Sequence, residues 1–473
     1  MESSSLEKPT ASGTLDRPLR SVLRLDAWKV ILLLLVVLLV FTRLYDLGNR
    51  AYCHDESTHA WEPWKLITGQ GYRFDPVYHG PFLYHATALV YWLFGDSDTT
   101  ARIAPALLAI LSVLLVWPLR KWLGKAGALF TMFLLTLSPS MMFRGRFIRH
   151  DIFVIAPTMA VVVAFFHYVT DRRQRWLYVI AGGLALTFCA KANSFINGAI
   201  FGAFWVGALL VDWWKTRRPL RELPEFDLAV LMATLALPLL TPLVLMVLKL
   251  NPRDYSDAGL WRIRGVLLVL VAISAVIGLW WKRKVWPIAA AIYYAIYIPL
   301  YTTMFTNGQG LETGFTGMVG HWLGEQGVAR GGQPWFYFYF LNVIYEFLPL
   351  ILALLAILYY LYRLLRELRP QAAEGESQTV ATAAPPFVGF ILFWGLGTFA
   401  FWTWAAEKMP WQNMHLVLNL CLVAGWFLGQ VWQRADWRKL LKEGFLPCLV
   451  LLPVMLFGNV VWVVTLAGRP KPF

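Results

Sequence analysis

Long apolar runs separated by short polar segments make up most of this chain. A transmembrane helix needs about 20 mainly apolar residues to cross about 30 Å of hydrocarbon. By this criterion the sequence predicts thirteen spans, at residues 28–44, 101–118, 127–143, 151–169, 176–193, 196–214, 228–248, 265–281, 285–303, 336–362, 387–404, 413–432 and 445–467. The predicted fold class is therefore an all-α polytopic membrane protein.

One further apolar stretch, residues 81–95, is too short for a clear assignment and carries His85. Its length fits either a span or a helix in the membrane interface. Cytoplasmic loops are enriched in Lys and Arg. If 81–95 does not cross, the basic segments lie inside: 1–27, 120–125, 171–175, 215–221, 282–284, 363–369 and 434–442. If it crosses, all but the first move outside. We therefore predict that it does not cross, with a cytoplasmic N-terminus and an external C-terminus.

Composition agrees with the membrane class. Hydrophobic residues make up 58% of the chain and charged residues only 15%, against about a quarter in soluble domains. The net charge of +14 is common in nucleic-acid-binding proteins, but here the basic residues lie in short loops beside apolar spans and indicate topology. We therefore expect membrane lipids and no nucleic acid as partners. The polar, Ser-rich start predicts no cleavable signal peptide, and four scattered cysteines predict neither a disulfide framework nor a metal cluster.

The whole chain, residues 1–473, is predicted to form one transmembrane domain. Its non-spanning parts are a cytoplasmic tail at 1–27, an external loop with juxtamembrane helices at 45–100 and a cytoplasmic linker at 369–386. A further external loop at 304–334 holds nine glycines, which predicts flexibility. Apolar residues at helical spacing within that loop also predict a short interfacial helix.

The first external loop contains CHDESTHAWEPW at residues 53–64, with adjacent carboxylates flanked by His54 and His59. On a helix Asp55 and His59 share a face, whereas Glu56 points about 100° away. One carboxylate can then face a site while the other is held elsewhere. The alternative is a solvated helix end with acids near its N-terminus.

Two more clusters of charge fall on the predicted outer side. In FRGRFIRHD, residues 143–151, three arginines precede Asp151, and external arginines need a carboxylate or an anionic ligand as a partner. Either an Asp–Arg pair at a helix start or a phosphate cradle beside a second acid satisfies this need. The arginines are Arg144, Arg146 and Arg149.

In AAEKMPWQNMH, residues 405–415, Lys408 stands beside Glu407 at the membrane surface. A lysine that extends to lipid headgroups is the alternative to a site residue here.

The ordered motifs HDESTHAW, YHGPFLYH (78–85), FGDSDTTAR (94–102), RGRFIRHD, AKANSF (190–195) and EKMPWQ resemble the GT-C superfamily of membrane glycosyltransferases. Within it, the chain is similar to the protein mannosyltransferase and aminoarabinose transferase group, and most closely to the prokaryotic flippase-activity-associated proteins. The resemblance covers nearly the whole chain. It implies a GT-C-like bundle in a prokaryotic plasma membrane, with 81–95 as a juxtamembrane helix.

The resemblance also implies roles for particular residues. Asp55 matches the general base that deprotonates the acceptor, supported by Glu56, and Asp151 matches an acid that orients the acceptor or a divalent cation (Mg²⁺ or Mn²⁺) held with Asp55. Lys408 matches a residue that contacts the lipid phosphate. His150 and Ala192 depart from the Asn and Glu that are frequent in the subgroup. Further substrate-binding candidates are His54, His59, His79, Arg144, Arg146, Arg149 and Lys191.

The function that follows from the resemblance is an inverting glycosyltransferase. It would move one sugar from a polyprenyl-phosphate donor to a lipid, glycan or protein acceptor outside the cytoplasm. The chain has no WWD-type motif, which argues against an oligosaccharyltransferase. Two other classes remain: a translocase of lipid-linked sugars, which should show acids or broken helices at mid-membrane, and a non-catalytic assembly subunit.

Overall fold

The computed structural model describes residues 26–328, 331–367, 386–442 and 458, and these residues form helices joined by turns and loops. Nine helical segments in this part of the chain are long and apolar enough to cross a membrane. The all-α polytopic fold is confirmed. The predicted span at 445–467, the tail at 1–25 and the linker at 369–385 lie outside the described residues.

The first half of the chain forms a series of helices that begins at residue 27. They are α1 (Ala27–Leu44), α2 (His54–Ile67), α3 (Phe82–Phe94), α4 (Asp98–Ala101), α5 (Ile103–Leu114), α6 (Arg120–Leu137), α7 (Pro139–Arg144), α8 (His150–Asp171), α9 (Gln174–Phe188), α10 (Ser194–Thr216), α11 (Pro224–Ala236) and α12 (Thr241–Val247). Short 3₁₀ turns precede α3, α6, α11 and α12.

The second half continues in the same way. Its helices are α13 (Asp257–Lys282), α14 (Trp286–Tyr301), α15 (Gly310–Glu325), α16 (Tyr337–Tyr345), α17 (Phe347–Glu367), α18 (Phe387–Trp404), α19 (Asn413–Arg434) and α20 (Trp437–Lys442). A 3₁₀ turn at Pro410–Gln412 precedes α19.

Three predicted spans are interrupted in the structure, and one of them is the span at 228–248, where a 3₁₀ turn at Leu237–Leu240 separates α11 from α12. The span at 127–143 is wrong at its end, because Pro139 starts a separate helix, α7, after the chain leaves α6 at Ser138. The span at 336–362 is broken at Glu346, whose φ of −130° and ψ of 32° are not helical, so that α16 and α17 are separate helices. The count of thirteen therefore stays a prediction.

Helix α3 has 13 residues and spans only about 20 Å at 1.5 Å per residue. It is thus too short to cross the hydrocarbon core, and it packs along α2, as a juxtamembrane helix would. Gly95, with φ of 78°, ends it in a conformation that favours glycine.

Helix α8 is the centre of the bundle. It is apolar and buried on nearly every side, and α3, α5, α9, α11 and α19 pack around it. Close approach of α9 requires Gly183, because a Cβ atom there would lie 2.6 Å from Val161 Cγ2. The first turn of α8 carries His150 and Asp151, so their backbone belongs to this buried helix.

Small residues hold α6 and α19 together. A Cβ atom on Gly425 would lie 1.9 Å from Thr131 Oγ1, and one on Gly429 would lie 2.8 Å from the Cα atom of Gly127. Glycines at such positions let backbones approach where the hydrophobic effect gives little drive for association in lipid. This contact fixes α19, which carries His415 in its first turn.

Helix α15 forms within the glycine-rich loop, as the apolar spacing predicted. It packs against α12, α13 and α14, and its glycines serve that packing: a Cβ atom on Gly314 would lie 2.8 Å from the Tyr301 ring. For residues 310–325 the glycines therefore allow close contact instead of irregular backbone. The predicted flexibility of the rest of 304–334 stays a prediction.

The connections between helices collect at two ends of the bundle. Residues 45–80, 144–150, 189–193, 304–328 and 405–412 lie at one end, which we call the site end. Basic connections lie at the other, where the buried Asp227 accepts hydrogen bonds from Lys282 Nζ at 2.8 Å and Arg172 Nη1 at 3.4 Å. The segregation of polar segments that the charge pattern required is thus present.

This segregation predicts the orientation of the chain in the membrane. Epitope tags inserted at 171–175 and 215–221 should be protected in right-side-out vesicles, and a tag at 326–328 should be accessible, because basic loops stay in the cytoplasm. Accessibility to antibody before and after detergent lysis measures this. Exposure of the tag at 171–175 before lysis would contradict the assignment.

Candidate functional site

A cavity of about 330 Å³ opens at the site end. Its walls come from the first turns of α2, the 3₁₀ turn at 76–79, the connection at 191–193, helix α15 and residues 402–412. These segments lie far apart in the sequence. Among the predicted site residues the cavity is lined by His54, Asp55, His59, His79, Arg149 and Lys191.

The two adjacent acids at the start of α2 point in different directions. Glu56 is fully buried, and its carboxylate accepts hydrogen bonds from Arg102 Nε at 3.0 Å, Arg102 Nη2 at 3.1 Å and Arg50 Nη2 at 2.8 Å. Asp55, with 39% of its side chain exposed, turns to the cavity. This is the divergence that helical geometry requires. Glu56, predicted to support catalysis, does not line the cavity.

Arg149 is the arginine of the 143–151 motif that lines the cavity. It forms an ion pair with Asp55, and its guanidinium lies 3.6 Å from the centroid of the Trp411 ring. The other two arginines are engaged elsewhere: Arg146 donates to the backbone carbonyls of Tyr45 and Asp46, and Arg144 lies over aromatic rings of its own segment. The pair between Asp151 and an arginine of this motif is not formed, because Arg149 pairs with Asp55 and Asp151 pairs with Lys191. Arg149 also lines the cavity, and the phosphate cradle stays a prediction for this arginine alone.

Asp151 lies one layer behind the cavity wall. It is 1% exposed, and Lys191 Nζ donates to its two oxygens at 3.0 and 3.1 Å. His415 Nε2 lies 3.1 Å from the same carboxylate. A carboxylate oxygen only accepts, so Nε2 carries the proton in the contact with Asp151. The acid holds Lys191, and it is Lys191 that lines the cavity.

Lys408 does not line the cavity. The side chain is buried, and its Nζ donates to the Ala405 carbonyl at 2.5 Å. Its neighbour Glu407 lines the cavity instead. The turn at Pro410–Gln412 that follows sends Trp411 and Gln412 to the same wall. The residues predicted to meet, Asp55, Asp151 and Lys408, therefore do not share one surface, and Arg149 and Lys191 are the cations beside Asp55.

Three histidines from three motifs cluster beside the cavity: His59 and His79 line it, and His150 lies behind them. The rings of His59 and His150 are 4.8 Å apart and those of His79 and His150 are 5.1 Å apart. His59 also contacts the Tyr84 hydroxyl, from its Nδ1, at 3.0 Å. Burial, reinforced by the charges of Arg149 and Lys191, lowers the pKa of His59 to about 3. Its ring is therefore neutral at physiological pH and serves as a hydrogen-bonding and packing group.

The donor set does not fit the predicted divalent cation. Both oxygens of Asp151 accept from Lys191, and Asp55 is paired with Arg149. In the described ranges no group of three or more His, Cys, Asp or Glu side chains is arranged to hold a metal ion. Hard cations need several oxygen ligands free of competing cations, so we assign no step to a metal.

Helix α15 contributes cavity-lining residues that were not predicted from the sequence. Met318, His321, Trp322 and Glu325 line the cavity from this helix. They recur at spacings of three and four residues, so a helical reading of 310–325 places them on one face. Asn193 and His415 were also missed, because their role depends on contacts across about 220 residues of sequence.

Part of the chain matches a family model. Residues 78–246 match the model described as dolichyl-phosphate-mannose-protein mannosyltransferase. The match includes the turn that carries His79, the whole of α8 and the connection that carries Lys191. No curated protein matches the chain by sequence.

Solved membrane enzymes share the architecture. ArnT from Cupriavidus metallidurans bound to undecaprenyl phosphate superposes with a TM-score of 0.53 at 17% identity, over 94% of this chain and 66% of that one. The Archaeoglobus fulgidus oligosaccharyltransferase in complex with zinc and sulfate gives 0.53 at 16% identity, over 88% and 51%. The same enzyme tethered to an acceptor peptide with an NVT sequon gives 0.54 at 15%, over 89% and 51%.

The chain has the fold of the GT-C membrane glycosyltransferases. The predicted resemblance is thereby confirmed, whereas the nearer likeness to flippase-activity-associated proteins stays a prediction. The chain spans about two thirds of the ArnT chain and half of the oligosaccharyltransferase chain. In this GT-C fold the first loop, the start of α8 and the connection before α10 come together at one cavity.

The buried Glu56 predicts a large effect on folding. Glu56→Gln should destabilise the protein by about 3–5 kcal/mol, because it leaves Arg102 as a buried cation without its counter-charge. Thermal unfolding in detergent measures the change. Asp96→Asn is the control, since Asp96 is an exposed carboxylate of the same loop region and should change stability by about 0.5 kcal/mol or less. Equal stability of the Glu56→Gln variant and wild type would refute the structural role.

Proposed function

We propose that this protein is a glycosyltransferase that moves a sugar from a polyprenyl-phosphate donor to a hydroxyl-bearing acceptor at the site end. The observation that carries the proposal is the lining of one cavity by a carboxylate, Asp55, and two cations, Arg149 and Lys191. Transfer from a lipid phosphate needs these groups: a base for the incoming hydroxyl and positive charge for the departing phosphate.

The chemistry follows as a single displacement. Asp55 accepts the proton of the acceptor hydroxyl while the hydroxyl oxygen attacks the anomeric carbon of the donor sugar. The bond between that carbon and the phosphate oxygen breaks, and the phosphate leaves with the electron pair. Arg149 and Lys191 stabilise the charge that develops on it. Because the leaving phosphate is already a weak base, no general acid is required, and the configuration at the anomeric carbon inverts.

The ion pair between Asp55 and Arg149 gives the reaction an order. Arg149 forms an ion pair with Asp55 in the cavity. A bound phosphate competes for the same guanidinium, because phosphates pair strongly with arginine. Donor binding then loosens the hold on Asp55 and makes its carboxylate available as a base. Lys191 keeps its own buried counter-ion, Asp151, and so remains in place throughout.

Two structural comparisons support the substrate classes. The ArnT structure contains undecaprenyl phosphate, and the oligosaccharyltransferase structure carries an acceptor peptide. Both are consistent with a lipid-linked donor and a separate acceptor for this chain. We propose a prokaryotic plasma membrane as its location, with the site end outside the cytoplasm.

The positions of the buried acids favour the transferase over a translocase. A translocase should place acids or broken helices at mid-membrane. Among the described residues the buried acids lie at the two ends of the bundle instead. Glu346 stands at a helix break, but its carboxylate accepts from Ser138 Oγ at 2.7 Å and the Ser140 amide at 2.9 Å, next to α7 at the site end.

Asp55 is the residue on which the mechanism depends. Asp55→Asn keeps the shape of the side chain and removes the proton acceptor, so sugar transfer should fall by about 10²-fold or more. Expression and thermal stability should stay near wild type, because Asp55 is partly exposed. Transfer from a polyprenyl-phosphate-linked sugar pool in membranes measures the effect.

The matched control is Asp96→Asn, which removes an exposed carboxylate from the same loop region outside the cavity. It should leave transfer unchanged. Full activity of Asp55→Asn would refute the assignment of the base and with it the proposed mechanism.

Substitutions of Lys191 and Lys408 should have different effects on the affinity for the donor. Lys191→Met should weaken binding of a polyprenyl phosphate by about tenfold or more, because it removes a cavity cation. Lys408→Met should change it by less than about threefold, since Lys408 points to the Ala405 carbonyl. Binding to protein in nanodiscs measures both, and stability is checked in parallel, since the first variant also leaves Asp151 without its partner. A larger loss of affinity in Lys408→Met than in Lys191→Met would instead assign the phosphate contact to Lys408.

A further inference from the structure

His79 has a backbone conformation that histidine rarely adopts. Its φ is 67° and its ψ is −161°, a region that is essentially restricted to glycine. Arg172 and Arg217 also have positive φ, but with ψ of 17° and 19° they end helices in the ordinary left-handed conformation. Such a conformation at a non-glycine residue costs about 1–3 kcal/mol and persists only where the surroundings impose it.

Contacts on both sides of His79 impose this conformation. On one side, the 3₁₀ turn Pro76–Tyr78 is capped by Asp75, and the His79 amide donates to the Pro76 carbonyl at 3.2 Å. On the other, the Gly80 amide donates to the Ala190 carbonyl at 3.0 Å, and a Cβ atom on Gly80 would lie 2.1 Å from the Cys189 carbonyl oxygen. The chain is thereby pressed against the connection that carries Lys191.

The result of this strain is an imidazole at the cavity. His79 lines the cavity and is partly exposed to it. Its ring packs edge-on against His150, and in the described part of the chain neither ring nitrogen has a protein hydrogen-bond partner. The described residues therefore leave the hydrogen-bonding capacity of both ring nitrogens unused, although the strained backbone places the ring at the cavity.

The charges that act on the His79 ring are those of cations, and the carboxylates of Asp55, Glu325 and Glu407 line the same cavity. Burial, followed by the charges of Lys191 and Arg149, lowers the pKa of His79 well below its usual value, and the remaining titratable neighbours are His59, His150 and His321. The imidazole is therefore uncharged at physiological pH, with one N–H donor. An anion drawn to Lys191 and Arg149 comes within its reach.

We propose that the His79 imidazole donates a hydrogen bond to the phosphate of the lipid donor, beside Arg149 and Lys191; this inference rests on the proposed function. The donor N–H orients the phosphate without adding a third positive charge to the cavity. The strained backbone is what directs the ring to this position, since an extended residue 79 would turn its side chain away from the cavity floor.

Three substitutions separate the backbone from the side chain. His79→Gly removes both the strain and the donor, His79→Ala removes the donor and keeps the strain, and His79→Asn keeps both an N–H donor and the strain. Binding of a polyprenyl phosphate without a sugar is measured on the full-length protein in nanodiscs, together with thermal unfolding.

Affinity should fall by about tenfold in the Gly and Ala variants, and the Asn variant should retain most of it. The Gly variant should unfold at a temperature at least as high as the Ala variant, because glycine accepts the conformation. A Gly variant with wild-type affinity would overturn the inference. So would an Asn variant as weak as the Ala variant while both are folded.

Arg149→Gln and Lys191→Met distinguish this failure from that of the proposed function. If these two variants lose affinity and His79→Gly does not, only the role of His79 is wrong. If none of the three loses affinity, the cavity does not bind the lipid phosphate and the proposed function fails as well.

The dependence on pH tests the charge state. Wild type and His79→Asn should show the same change in affinity between about pH 6 and 8, because the ligand and every titratable side chain other than His79 are common to both. A steeper loss of affinity with rising pH in the wild type would mean that a charged imidazolium binds the phosphate, which would contradict the proposed neutral donor.

Discussion

Glu56 and Arg102 pair away from water, and this pairing sets the rotation of helix α2. The carboxylate is fully buried, with Arg102 and Arg50 as its counter-ions. Once Glu56 points into the protein, Asp55 must point about 100° away, toward the cavity. The costly burial of a charge is compensated only when the partner is held in good geometry, so the pair fixes the first loop against the start of α5. The orientation of the candidate base depends on a neighbouring acid that does not line the cavity.

A second buried pair plays the same part on the other wall. Asp151 lies in the first turn of the central helix α8, and both of its oxygens hold Lys191. His415 from α19 completes the contact, and glycine packing between α19 and α6 fixes that helix in turn. The cation that lines the cavity is thus paired with a residue of the buried central helix. Glu56 and Asp151, which were predicted as catalytic from the sequence, are buried in ion pairs and do not line the cavity.

Much of the fold could be predicted from the sequence, because a lipid environment leaves few choices. Apolar runs of about 20 residues must form helices there, and the charge pattern separates the two ends of the bundle. The breaks at Ser138 and Glu346 were not predicted. The two breaks share one long-range contact. The Glu346 carboxylate accepts hydrogen bonds from Ser138 and Ser140, which lie about 200 residues earlier in the chain.

The sequence by itself determined the membrane class, the short juxtamembrane helix and the motifs that gather at one end, since these follow from hydropathy, charge and helical periodicity. It named Asp55, His79, Arg149 and Lys191 among the candidates. Only the tertiary structure decided that Arg149 pairs with Asp55 and that Lys191 lines the same cavity, while Lys408 donates to the Ala405 carbonyl. The reason is that side-chain direction at a helix end or a strained turn depends on which distant charge is buried beside it, and that partner is not encoded in local spacing.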